Sequence, residues 1–122
     1  MMLKTKSEIS LWLDKYDIVN YTINDDLTVD VAGSVYLGNR GLRTIPIQFG
    51  KVNGDFYCFS NNLTSLVGCP REVGGHFFCN NNQLKSLVGC PSIIRGGFEC
   101  DDKFKNDIEY LRWVFSKKVM AL

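Results

Sequence analysis

The chain has 122 residues and a formal net charge of +1, from 14 Lys+Arg against 13 Asp+Glu. That balance disfavours general nucleic-acid binding and polybasic membrane binding, because both depend on a strong cationic field. The length and the 45% hydrophobic content fit one domain with a buried core. The sequence has no apolar run of the roughly 18 residues that span a membrane and no signal-peptide pattern. We therefore expect a cytoplasmic protein whose five cysteines are reduced thiols.

The first predicted element is an amphipathic helix over residues 5–17. Thr5 and Glu8 have the spacing of a capping box, which marks a helix start. The apolar residues that follow recur at i, i+3, i+4 and i+7 and so form one stripe: Ile9, Trp12, Leu13 and Tyr16.

A β-hairpin is predicted next, with strands over residues 21–23 and 27–31 on either side of a polar turn. Helix and hairpin together, residues 1–33, are expected to cover the open apolar end that a stack of repeats leaves.

The middle of the sequence repeats with a period of 21 residues, since residues 54–70 align with residues 75–91 without a gap. A more divergent copy precedes these two, and a copy cut off after its strand follows. Self-similarity at a fixed period predicts a solenoid over residues 34–100, with about three and a half repeats, in which each coil buries its apolar face against the next. The equivalent pairs are Phe56 and Phe77, Cys58 and Cys79, Asn61 and Asn82, Leu63 and Leu84, Leu66 and Leu87, and Pro70 and Pro91.

These copies resemble leucine-rich repeats, with the kernel Phe56-x-Cys58-x-x-Asn61-x-Leu63-x-x-Leu66. The segments Asn20-Tyr-Thr-Ile-Asn and Val29-Asp-Val-Ala-Gly, with the repeated Leu-Thr/Lys-Ser-Leu-x-Gly-Cys-Pro, are similar to small leucine-rich-repeat-like proteins of tailed phages and prophages. The first copy departs from the pattern at Leu37, Arg40 and Gly41. The resemblance implies a genomic setting and no particular activity.

The last predicted element is a helix within residues 101–122, with Asn106 or Asp107 as N-cap and an end near Val119. Its expected role is to cap the solenoid; docking onto a partner is the alternative. The predicted fold is therefore an α/β solenoid: a short leucine-rich-repeat-like array with a parallel strand face, a 21-residue period and helical caps at both ends. The expected apolar face consists of Ile108, Leu111, Phe115 and Val119, widened by Tyr110, Trp113 and Val114.

Strand alternation predicts three outward columns of side chains across the coils. If Phe56 and Cys58 point inward, their neighbours along the strand must point outward. Rings of successive coils would then form an exposed ladder, and a monomer rarely exposes such a patch without a function. The columns are Tyr36, Tyr57, Phe78 and Glu99; Gly38, Phe59, Asn80 and Asp101; and Ser34, Asp55, His76 and Gly97.

The leading functional hypothesis is a protein-binding module without enzymatic activity or cofactor. The acidic corner beside the ladder, formed by Glu99, Asp101 and Asp102, suits a basic partner surface. The phage resemblance implies a bacterial host protein, for example a defence or nucleic-acid enzyme that is inhibited. The candidate partner-binding residues are Tyr36, Tyr57, Phe59, Phe78, Asp55, His76, Glu99 and Asp101.

Other interpretations stay open. The ladder or the truncated last repeat could form a homodimer or larger scaffold, or a terminal helix could fold over the ladder. Exposed rings could also stack the bases of a single strand, although the cationic groove that such binding needs is missing.

Metal binding, regulated disulfides and catalysis have weaker support. The cysteines are spaced by 10 or 11 residues, unlike the close pairs of zinc sites, and buried thiols behave as small hydrophobes. The single histidine, His76, would have to centre any Ser-His or Cys-His mechanism. A surface Asp55–His76 pair is more often an ion pair than a general base.

Overall fold

The computed structural model describes residues 2–121, and for residues 115 and 117–121 it describes the backbone alone. Short strands dominate the chain, with one longer helix at each end. The elements are α1 (Lys6–Lys15), β1 (Tyr21–Ile23), β2 (Thr28–Val31), β3 (Val35–Tyr36), β4 (Gln48–Val52), β5 (Phe56–Tyr57), β6 (Glu72–Val73), β7 (Phe77–Phe78), β8 (Ile93–Ile94), β9 (Phe98–Glu99), a 3-10 helix (Asp102–Phe104) and α2 (Ile108–Ala121).

The strands form two sheets that run side by side along a β-solenoid of about three turns. The first sheet has the order β1-β2-β4-β6-β8 and the second has the order β3-β5-β7-β9. All neighbours are parallel except β1 and β2, which form the predicted hairpin. The chain passes through both sheets four times, and we call each of these strand pairs a coil: β2 and β3 form the first coil, β4 and β5 the second, β6 and β7 the third, and β8 and β9 the fourth, which the chain leaves after its second strand.

The register of the second sheet confirms the 21-residue period. Val35 pairs with Phe56, Phe56 with Phe77, and Phe77 with Phe98. The sequence pattern predicts only one strand in each repeat, whereas each coil has two. The additional strands of the third and fourth coils, Glu72–Val73 and Ile93–Ile94, each bury a single side chain, whereas the predicted strands are followed by a second inward residue such as Cys58, which makes their alternation visible.

The interior is filled by equivalent side chains from successive coils. Phe56 and Phe77 are fully buried and stack with ring centroids 5.9 Å apart. Leucines of the turns, Leu63 and Leu84, are also fully buried. Burying such a side chain contributes roughly 1.5–3 kcal/mol, and no coil could bury it without the neighbouring coil.

Asn61 and its equivalent one coil further on, Asn82, bond the turns of successive coils together: the Leu63 N–H donates to Asn82 Oδ1, and Asn82 Nδ2 donates to the Cys58 carbonyl, both at 3.0 Å. Asn61 Oδ1 accepts hydrogen bonds from the backbone N–H groups of Arg40 and Leu42, both at 3.0 Å. Its Nδ2 donates to the carbonyl oxygens of Leu37 at 2.8 Å and Cys58 at 3.0 Å. The expectation that a carboxamide satisfies backbone groups at this turn is confirmed, and most of the satisfied groups belong to the preceding coil.

Helix α1 packs on the interior at the amino-terminal side. Thr5 and Glu8 form the predicted capping box, with the Glu8 N–H donating to Thr5 Oγ1 at 3.1 Å. Ile9 and Leu13 are buried, and the Trp12 ring meets the ring of Phe49 edge-on with centroids 6.5 Å apart.

Helix α2 packs on the interior at the other end through Tyr110 and Trp113. Both rings meet Phe98 edge-on, each with centroids 5.6 Å apart. The predicted apolar face is therefore wrong at Ile108, which is 71% exposed. The helix is rotated so that its two large rings cover Phe98, and Ile108 then points away. The predicted positions Phe115 and Val119 lie outside the described side chains. Asp107 acts at the helix start as expected, since its Oδ1 accepts from the Glu109 N–H at 3.0 Å.

Candidate functional site

The second sheet places the predicted outward columns on its outer surface. Tyr36 pairs with Tyr57, and Tyr57 with Phe78, while the preceding residue of each strand points into the core. Tyr36 is 56% exposed, and Tyr57 and Phe78 are half-buried. These three residues are called the aromatic ladder below.

The rings of the aromatic ladder contact one another along the solenoid axis. The centroids of Tyr36 and Tyr57 are 5.3 Å apart with the rings tilted by 47°, and those of Tyr57 and Phe78 are 4.8 Å apart with the rings stacked at 16°. The ladder is extended sideways by His76, whose ring stacks on Phe78 with centroids 5.6 Å apart. Stacked rings cover one another's faces, so this surface offers a partner mainly ring edges and the outermost ring, Tyr36.

Phe59 borders the ladder and depends on a glycine in the preceding coil. Its ring centroid lies 5.8 Å from that of Tyr57. A Cβ atom on Gly38 would lie only 2.8 Å from Phe59 Cζ, so the Phe59 ring lies directly over this glycine. Any side chain at position 38 would displace the ring, and glycine is therefore part of the site although it offers no contact group itself.

The column on the other side of the ladder is built from side chain-to-backbone hydrogen bonds. Ser34 Oγ accepts from the Asp55 N–H at 2.9 Å, and Asp55 Oδ1 accepts from the His76 N–H at 2.8 Å. His76 Nδ1 accepts in turn from the Gly97 N–H at 2.7 Å. Each side chain thus bonds the equivalent backbone position one coil further on. The sequence shows the column but gives no signal for these bonds.

Asp55 and His76 are oriented for this structural role and not for proton transfer between them. Asp55 Oδ2 accepts from the Tyr57 hydroxyl at 3.3 Å, so both carboxylate oxygens have partners other than the His76 ring. Burial raises the pKa of Tyr57, and the neighbouring Asp55 charge and hydrogen bond raise it further. The hydroxyl of Tyr57 is therefore neutral at ordinary pH and works as a donor.

The predicted acidic corner is partly used by the fold itself. Asp101 Oδ1 accepts from the Asn81 N–H at 2.7 Å, which connects the chain after β9 to the third coil. The Glu99 side chain is 55% exposed and lies 3.7 Å from Lys105 Nζ. Glu99 thus stays accessible at the end of the ladder, whereas one oxygen of Asp101 is already engaged.

A polar shelf beside Phe59 was not predicted as part of the site. It consists of Asn39, Ser60, Asn62, Asn81 and Gln83, which line a shallow depression next to the ring. Three of these residues recur every 21 positions with left-handed backbone angles, φ 56° at Asn39, 53° at Ser60 and 58° at Asn81. Asparagine tolerates that conformation, so the recurrence of Asn and Ser at this offset is the signal that could have located the shelf.

The cysteines are free thiols directed into the interior or the turns. A hydrogen bond with Cys69 and complete burial raise the pKa of Cys58 well above its usual range, and burial raises the pKa of Cys90 to about 12. In the part of the chain that the structure describes, no three His, Cys, Asp or Glu side chains are grouped to hold a metal ion.

Comparison with models of protein families, with curated proteins and with solved structures finds no match for this chain. Within residues 2–121, neither helix has the length and apolar character needed to cross a bilayer. The functional interpretation therefore depends on the geometry of the second sheet.

Proposed function

We propose that the protein is a binding module without enzymatic activity, and that it captures one protein partner with the aromatic ladder and its margins. The observation that carries the proposal is a column of three outward rings on one sheet, with Tyr36 56% exposed at its end. Tyrosine and phenylalanine are favoured anchors of protein interfaces, and such rings are more often buried than displayed.

The rigid backing of the ladder supports this use. Parallel hydrogen bonds hold β3, β5 and β7, and the rings already restrict one another by contact. A partner would therefore meet a preformed surface and would lose little side-chain entropy in ordering it.

The charges around the ladder favour a basic partner. Asp55 lies in the neighbouring column, and Glu99 follows Phe78 in the ladder's own column. Carboxylates at a rim speed association with a cationic surface more than they tighten the final complex. We therefore expect the association rate to fall as salt is added, with a smaller change in the dissociation rate.

The resemblance to leucine-rich-repeat-like phage proteins supplies the biological setting of the proposal. In that setting the protein acts in the host cytoplasm, binds a bacterial host protein and inhibits a defence or nucleic-acid enzyme by covering its basic groove. We also infer that α1 and α2 cap the solenoid, because each places apolar side chains on the interior at its own end. The surface for a partner is then the side of the solenoid and not its ends.

The test is affinity capture from a bacterial lysate, followed by measurement of binding to the captured protein in purified form. Replacing Tyr57 and Phe78 together by alanine should weaken that binding by about a hundredfold, because two central ring anchors are lost. Val88→Ala is the matched control, since Val88 is 74% exposed and lies in a turn away from the ladder.

The double variant must remain folded by circular dichroism and cooperative unfolding for the comparison to count. Equal binding by the double variant and the wild type would refute the ladder as the interface. Sedimentation of the free protein separates the rival scaffold function: a concentration-dependent dimer that the double variant abolishes would assign the ladder to self-association instead.

A further inference from the structure

His76 occupies a position where two other coils use different acceptors for the same hydrogen bond. Ser34 in the first coil and Asp55 in the second coil each accept the backbone N–H one coil further on. In the third coil the acceptor is Nδ1 of His76, 2.7 Å from the Gly97 N–H. Histidine is the only one of these side chains whose ordinary titration range, about pH 6.5, lies near neutrality.

We propose that His76 makes the contact between the third and fourth coils sensitive to pH, because its hydrogen bond with Gly97 exists only while Nδ1 is unprotonated. A neutral imidazole has one accepting nitrogen, whereas the imidazolium has none. Uptake of one proton from solvent at Nδ1 therefore turns the acceptor into a donor that faces another donor. The new N–H bond at Nδ1 is the single covalent change, the ring becomes positively charged, and the Gly97 N–H loses its acceptor.

The His76 side chain is exposed to solvent, and its ring has neighbours on two sides. Its ring stacks on Phe78 with an interplanar angle of 24°. On another side lies the chain at Gly96, where even an added Cβ would be 2.7 Å from Nδ1. Turning the ring to present its other nitrogen would not help, because both nitrogens of the imidazolium carry protons.

The charged groups around His76 act in opposite directions. From the second coil, the Asp55 carboxylate favours a positive charge on the ring, but its oxygens are already bonded to the His76 N–H and the Tyr57 hydroxyl. On the side of the fourth coil, Glu99 pairs with Phe78 in the sheet, and Lys105 Nζ, 3.7 Å away, offsets part of its charge. The proposal rests on the hydrogen bond itself: Nδ1 accepts from the Gly97 N–H at 2.7 Å, and a protonated Nδ1 cannot accept, so acid is expected to weaken the contact between the coils.

The fourth coil lies at the edge of the second sheet. Strand β9 is the last strand of its sheet and pairs with β7 alone. A weaker contact at Gly97 should loosen β9. The His76 ring, no longer held by the Gly97 N–H, should also lose its stacking on Phe78. Any effect on partner binding rests on the proposed function, but the pH sensitivity of the fold does not.

The test compares urea unfolding of the wild type and of His76→Asn at pH 7.5 and pH 5.5. The Asn Oδ1 atom replaces the accepting nitrogen and does not titrate, and all other titrating groups are common to both proteins. Only the wild type must give up a hydrogen bond when it takes up this proton. Between pH 7.5 and pH 5.5, the urea midpoint of the wild type should therefore fall by about 0.5 M more than that of the variant, which is the size expected for one hydrogen bond. A wild-type midpoint that falls no further than the variant's overturns the proposal.

A second measurement on the wild type alone keeps the proposal testable if the variant does not fold. In a nuclear magnetic resonance titration, the imidazole nitrogens should show a proton on Nε2 and none on Nδ1 at pH 7.5. The Gly97 amide resonance should move with the same midpoint as the imidazole as pH falls. An imidazole protonated at Nδ1 at pH 7.5, or a Gly97 resonance that does not respond, refutes the assignment. Neither result would bear on whether the ladder binds a protein.

Discussion

Replacing Asn61 by alanine tests the physical basis of the solenoid most directly. Asn61 is 7% exposed and takes part in five hydrogen bonds with backbone groups of two coils. Three of these bonds are buried: those with the Leu42 N–H, the Leu37 carbonyl and the Cys58 carbonyl. Alanine leaves the Leu42 N–H and the Leu37 carbonyl without this partner, whereas the Cys58 carbonyl keeps the bond that Asn82 Nδ2 donates at 3.0 Å, so two buried groups are left unsatisfied.

The expected loss follows from counting the groups that water cannot reach. An unsatisfied buried donor or acceptor costs about 1–3 kcal/mol, and the two partly accessible bonds add less. Asn61→Ala should therefore reduce the free energy of unfolding by about 4 kcal/mol, a large fraction of the 5–15 kcal/mol that is usual for a single domain. Urea unfolding followed by circular dichroism measures this loss.

The neighbouring residue supplies a matched control. Asn62 is exposed, and its Oδ1 accepts from Gln83 Nε2 at a long 3.4 Å. Asn62→Ala should change the free energy of unfolding by less than about 0.5 kcal/mol, as is usual for surface sites. If both variants lose the same amount, the bonds of Asn61 do not hold the coils together, and the account of the turns given above is wrong.

Two further predictions concern close packing between coils. Gly74→Ala would push a Cβ atom into the backbone of the preceding coil and should lower the free energy of unfolding by about 3 kcal/mol. Gly33→Ala is the control: its added Cβ atom meets nothing within 4 Å, so it should be nearly neutral in the same unfolding assay. The native thiols should react slowly with a disulfide reagent at pH 8, because four of the five are buried and the pKa values of Cys58 and Cys79 are raised, and all five should react in urea. Rapid release of one equivalent or more from the native protein would contradict the interior placement of the cysteines.

The sequence contained the register of the solenoid because the repeat is uninterrupted. An offset of 21 residues places Phe56, Phe77 and Phe98 on adjacent strands without further information. Alternation along the strand then assigns Tyr57 and Phe78 to the outer surface, since their neighbours must fill the core. The 21-residue period and the alternation of inward and outward side chains were therefore sufficient to predict where the aromatic ladder lies.

Other features depended on distances that no pattern reveals. The rotation of α2 is set by how two rings fit against Phe98, and the apolar stripe that includes Ile108 is equally compatible with a different rotation. The bond between His76 and Gly97 requires coils close enough for a side chain to reach the next backbone. The sequence shows which residues are equivalent but not which atoms meet.

The three outward columns differ in what the fold requires of them. One column bonds backbone groups, and it does so with serine, aspartate or histidine in successive coils. A second column contains Gly38 and Phe59 as a complementary pair. In the ladder column, the backbone bonds of Tyr36, Tyr57 and Phe78 would form with any side chain, and Glu99 occupies the same position in the fourth coil.

Since the fourth coil has glutamate at the ladder position, the run of three rings is not a requirement of the repeat. Stacking between rings contributes roughly 0.5–1.5 kcal/mol for each pair, but an interior of fully buried Phe, Leu and Val already holds the coils together. The fold therefore does not require aromatic rings at the ladder position, and this is why the proposal for partner binding rests on them.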